Sequence, residues 1–140
     1  MGLVEKSLSI ALEAHAGQVD KAGRAYILHA IRVMSGMSTD DERAVALLHD
    51  VLEDSNFVSS DLLERGIPVH VVAAVEALTK REGEDYQAFI EKVMRNSLAV
   101  KIKIADIEDN LNVLRLDSIS DKDLIRVGKY HSAWKILQGE

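Results

Sequence analysis

The chain has 140 residues and no cysteine, enough for one domain with its own core and a bar to both disulfides and thiolate metal sites. Its formal charge of −6 argues against broad nucleic-acid binding, so a phosphorylated partner would need a locally positive field. No apolar run approaches the roughly 18 residues needed to cross a bilayer. MGLVEKSLSIALEAH reads as an amphipathic helix rather than a secretion signal, so a soluble cytoplasmic protein is expected.

Leu, Ala and Val are the commonest residues, and with ample Glu and Lys, one proline and 4% aromatics the composition favours helix over strand. The first helix is expected from Leu3 to about Ala16, stopping near Gly17, where glycine suits a helix end. GQVDKAGRAY is a glycine-punctuated loop, and a short helix with His29, Ile31, Val33 and Met34 follows it. Thr39 to Glu42 has capping-box spacing and opens a strongly apolar helix, ERAVALLHDVLED. A short helix from Asp61 to Glu64 precedes Gly66, and Pro68 suits the first turn of a helix containing Val71, Val72, Val75 and Leu78. KREGEDYQ is a polar loop leading into QAFIEKVM. In LAVKIKIADIEDNLNVL, capped by Asn96 or Ser97, the alternation of Val100, Ile102 and Ile104 imitates a strand. Ile107, Leu111 and Leu114 continue at helical spacing and favour helix. The last helix opens at Ser120 to Asp123 and runs to about Leu137. No repeat or linker interrupts the chain. The pattern predicts an all-α bundle of about seven to eight helices in one domain, residues 1–140.

HDVLED carries the first chemistry. His49 and Glu53 lie four apart, as do Asp50 and Asp54, so on a helix all four share adjoining surface. Three carboxylates and an imidazole on an otherwise apolar helix need compensation, which a divalent cation supplies. KIADIEDN repeats the theme, with Asp106 four before Asn110 and three after Lys103. His29 lies in a third apolar helix, YILHAIRV. Together, His29, His49, Asp50 and Asp106 form a candidate His₂Asp₂ metal site, a mixed N/O set that admits Mn, Fe, Co, Ni or Zn.

These segments carry a resemblance to a known family. An isolated His, a later His-Asp doublet and a later Asp are the pattern of the HD-domain superfamily. HAGQVDKAGRAYILHAIRV, ALLHDVLEDS, EALTKREGEDYQAFIEKV and VKIKIADIEDN resemble, more narrowly, the (p)ppGpp hydrolase domain of the RelA/SpoT enzymes and the small stand-alone alarmone hydrolases. The resemblance implies that His29, His49, Asp50 and Asp106 hold the metal, with Mn²⁺ favoured. It implies that Glu53 and Asp54 are the catalytic acidic pair, and that Lys21, Asn110, Arg126 and Tyr130 bind the nucleotide. Lys103 and Arg24 are further candidates for holding an anionic substrate, with Lys103 snorkelling from the core as the alternative. His15, in an HxGQ motif, orients the loop; His70 and His131 are surface or interface residues and Trp134 is core. The relatives' synthetase domain would begin where this sequence ends, so hydrolysis alone is expected.

Three positions depart from the family. Asp20 stands where an Arg usually stacks on guanine, Ala30 where longer relatives have Pro, and Asn112 where they often carry Arg. The expected activity is removal of the 3′-pyrophosphate from ppGpp, giving GDP and pyrophosphate. Asp20 leaves open an HD-domain phosphatase or pyrophosphatase acting on another nucleotide. A non-catalytic nucleotide-sensing module is the remaining alternative, against which the Glu53-Asp54 pair argues. A small-molecule partner is expected, with no nucleic acid and no membrane; a homo-oligomer stays open.

Overall fold

A computed structural model describes residues 1–139. Among these residues there are nine α-helices and no strand: α1 Leu3–Ala14, α2 Ile27–Ser35, α3 Asp40–Leu48, α4 Val51–Asp54, α5 Ser59–Glu64, α6 Val69–Ala77, α7 Tyr86–Met94, α8 Ser97–Asn110 and α9 Asp121–Leu137. Counting α3 and α4 as one interrupted helix gives eight, the upper end of the expectation. No helix among the described residues is long and apolar enough to cross a membrane.

The bundle is built around α3. Ala44, Val45, Ala46, Leu47 and Leu48 are all inaccessible to solvent, so this helix is buried on every side rather than along one stripe. It packs against α1, α2, α6 and α8. Its start is fixed as the sequence predicts: the Glu42 amide donates to Thr39 Oγ1 and the Thr39 amide to Glu42 Oε1, both at 3.1 Å. Ser120 and Asp123 repeat the device on α9, and Asn96 caps α8. Replacing Leu47 with alanine is expected to cost about 2–5 kcal/mol, read as a lower urea midpoint at unchanged slope.

Three expectations are corrected. ERAVALLHDVLED is not one helix: Asp50 leaves helical geometry at φ −107°, ψ 1°. The reason is the His49 ring, whose Nδ1 donates to the Ala46 carbonyl at 2.6 Å, the acceptor a continuing helix would offer the Asp50 amide. Pro68 is the cap of α6, not in its first turn, and its carbonyl accepts from the amides of Val71 and Val72. The helix through Asp106 stops at Asn110, and Val113–Arg115 forms a 3₁₀ turn with Leu114 91% exposed. Arg115 draws the chain round by donating to the Asp109 carbonyl, which also accepts the Asn112 amide at 3.3 Å. Between α1 and α2 the loop reverses at Gly17 and Gly23, whose φ values of 79° and 78° suit glycine alone, and Val19 bridges to Ala25.

Candidate metal centre

Three segments converge beside the buried face of α3. His29 comes from α2, His49 from the end of α3, Asp50 from the junction with α4, and Asp106 from α8. His29, His49 and Asp106 are buried and Asp50 half-buried. Each offers one donor atom, and the four atoms lie within 4.8 Å of one another. His29 Nε2 stands 2.9 Å from Asp106 Oδ1 and 3.3 Å from His49 Nε2, which is 3.1 Å from Asp50 Oδ2. The break after α3 permits this, because neighbours on a continuous helix would point about 100° apart.

The surroundings aim these donors inward. His49 Nδ1 is committed to the Ala46 carbonyl and His29 Nδ1 to Asp109 Oδ2 at 2.6 Å, so each ring has only Nε2 to offer the centre. Asp50 Oδ2 accepts from the Tyr26 hydroxyl. Asp106 accepts from Lys103 Nζ at 2.9 Å and Asn110 Nδ2 at 3.0 Å. Burial opposes the charged form of His49, but the carboxylates of Asp50 and Asp106 overcome it and raise its pKa well above the ordinary range. Burial likewise opposes ionised Asp106, and Lys103 with His49 holds it well below the usual carboxylate range. A divalent cation here would meet two imidazole nitrogens and two carboxylate oxygens, so the donor set fits one.

Glu53 and Asp54 stand exposed at the end of α4, with Glu53 Oε1 accepting from the Lys80 amide at 2.8 Å. Partial burial of its carboxyl, then the charges of Asp50 and Glu53, raise the Asp54 pKa to about 6. Burial and then Asp50 raise Glu53 as well, once the opposing Lys80 hydrogen bond is overcome. Gln18 ties this edge to the glycine loop, donating to the Asp54 carbonyl at 2.9 Å while its Oε1 pairs with His15 Nδ1 at 2.8 Å.

Beside the donors opens a cavity of about 390 Å³, whose wall includes Asp20, Lys21, Arg32, Asn110, Arg115 and Arg126. Lys21, Asn110 and Arg126 are thus brought together there, whereas Tyr130 is half-buried against the core and does not line it. Arg126 is also paired with Asp123 at 2.8 Å. Lys103 points inward to Asp106 instead of snorkelling outward. His70 is exposed and pairs with Asp41. Despite the net negative charge, a positive field exists locally. Burial, then the charges of Lys103, Lys80, Arg126 and Lys21, lower the pKa of Lys129.

The sequence reading missed Tyr26, Arg32, Asp109, Arg115 and Lys129. Tyr26 and Arg32 lie three residues before and after His29, and Asp109 three after Asp106. That same-face spacing was the available signal.

The lone His, the His-Asp doublet and the later Asp thus meet within an all-helical bundle. No protein-family model matches the chain. It is similar to guanosine-3′,5′-bis(diphosphate) 3′-pyrophosphohydrolase of Haemophilus influenzae, 34% identical over 119 residues, covering 75% of this chain and 18% of that protein. The same-named protein of Aquifex aeolicus is 28% identical over 123 residues, covering 79% of this chain and 18% of its own length. The chain therefore spans less than a fifth of these curated relatives. A solved structure, described as a metazoan ortholog of SpoT that hydrolyzes ppGpp, superposes with a TM-score of 0.80 at 23% identity, over 98% of this chain and 85% of that one. The protein resembles the RelA/SpoT-type ppGpp hydrolases in sequence, and its fold is theirs.

Proposed function

We propose that the protein is a metal-dependent guanosine-3′,5′-bis(diphosphate) 3′-pyrophosphohydrolase, acting as a single domain in the cytoplasm with Mn²⁺. The observation that carries this reading is the cluster of four donors within 4.8 Å, with the acidic pair at its edge and a cation-lined cavity alongside.

A divalent ion held by His29, His49, Asp50 and Asp106 would supply positive charge to phosphate oxygens and acidify a water molecule. The remaining work falls to side chains. Glu53 and Asp54 orient the attacking water and take its proton, for which a carboxyl raised to about 6 suits Asp54 better than an ordinary one. Lys21, which has no carboxylate partner among the described residues, and Arg126 hold the anionic substrate; Asn110 contacts it from the cavity wall. Water oxygen bonds to the phosphorus on O3′, the O3′–P bond breaks and O3′ leaves protonated, giving GDP and pyrophosphate.

A specific observation favours a second substrate. Asp20 lines the cavity beside Lys21, its Oδ1 accepting the amides of Ala22 and Arg24 at 2.9 and 3.0 Å. A carboxylate fixed in this way gives a purine no stacking surface. This admits a related phosphorylated nucleotide, such as one bearing a 2′- or 3′-phosphate. Incubation with Mn²⁺ and a panel including ppGpp, with pyrophosphate and phosphate measured separately, tests both. Pyrophosphate release from ppGpp is expected. Turnover of another nucleotide alone transfers the activity to the second reading, and bound metal without any turnover marks a binding module.

A further inference from the structure

The carboxylate behind His29 is held unusually firmly. Asp109 Oδ2 receives His29 Nδ1 at 2.6 Å, and Arg32 grips both its oxygens, Nε on Oδ1 at 2.8 Å and a terminal nitrogen on Oδ2 at 3.1 Å. Arg115 adds a third contact to Oδ2 at 3.2 Å. The side chain of Asp109 is only 12% exposed, so two guanidiniums compensate its charge and prevent it from turning. A carboxylate on Nδ1 leaves Nε2 as the free donor, fixes the plane of the ring and strengthens it as a ligand. Asp109 does not itself reach the centre, and it is not among the four clustered donors.

We infer that Asp109 is a positioning residue of the metal centre, holding the His29 ring with Nε2 toward the ion, and that Arg32 and Arg115 serve this carboxylate rather than substrate phosphate. Both arginines line the cavity and would otherwise read as phosphate ligands. This rests on the metal-centre part of the proposed function and is independent of its substrate.

The test is Mn²⁺ titration calorimetry without nucleotide, on wild type, Asp109→Ala and Asp109→Asn, with the visible spectrum of bound Co²⁺ as second readout. Asp109→Ala is expected to bind Mn²⁺ about 10–100-fold more weakly and to alter the Co²⁺ spectrum as the ring is freed. Asp109→Asn keeps an oxygen for Nδ1 but loses the charge, so it should fall between. Unchanged affinity and spectrum in folded Asp109→Ala would overturn the inference. Should that variant fail to fold, the nearly isosteric Asn variant decides in the same way. Wild-type Mn²⁺ binding lost in the variants, with no ppGpp turnover by wild type, supports Asp109 while removing the substrate reading. A wild type that binds neither ion removes both.

Discussion

Asp106→Ala is expected to lose metal and about 3–5 kcal/mol of folding stability together. Asp106 is 5% exposed and is the meeting point of the cluster, touching Lys103, Asn110 and His29 at 2.9–3.0 Å and His49 at 3.4 Å. Removing it strands the Lys103 ammonium, 13% exposed, with no anion at its head. Urea unfolding in EDTA measures the stability loss, and equilibrium dialysis against Mn²⁺ measures the metal. The sign of the pH dependence follows from the depressed folded-state pKa. Asp106 stabilises above the carboxylate range of the unfolded chain, and that contribution disappears as pH falls through the lower folded value. The difference between wild type and variant should therefore hold at neutral pH and shrink only in strong acid. A variant as stable as wild type in EDTA would show that Lys103 finds another partner.

Glu53→Gln is expected to keep both fold and metal while kcat falls about 10²–10⁴-fold. Glu53 is exposed and stands outside the donor cluster, and glutamine preserves the oxygen that accepts the Lys80 amide. What disappears is the negative charge that can draw a proton from water. Asp54→Asn should act in the same direction. Steady-state kinetics at saturating Mn²⁺, with metal content measured on the same sample, separate this loss from demetallation. A wild-type rate in the Gln variant would remove Glu53 from the chemistry.

Much of the bundle was legible because helix signals are local. Thr39 with Glu42 and Ser120 with Asp123 marked true helix starts, and the unbroken apolar run from Ala44 to Leu48 marked the central helix. The break at Asp50 was not legible, because it arises from a side chain taking a backbone acceptor, a competition that periodicity does not record. In the site, the four donors and the Lys103 and Asn110 beside Asp106 could be named, but Tyr26 behind Asp50 and Asp109 behind His29 were missed. Spacing puts Asp109 on the face of Asp106 and Glu108 off it, but only the placement of His29, Arg32 and Arg115 shows what Asp109 holds, whereas Glu108 faces Trp134. Arg126 and Tyr130 share a helix, yet only the first reaches the cavity.

The donors are scattered along the chain: His29 and His49 are 20 residues apart, and His29 and Asp106 are 77 apart. During synthesis, a nascent polypeptide would already carry three of the four before α8 has left the ribosome, but the fourth arrives only with that helix. The full donor set would therefore form only once α8 had docked against α2 and the α3–α4 junction. Once captured, the ion would tie α2, the α3–α4 junction and α8 into one staple across most of the sequence, and pulling out α8 would mean breaking it.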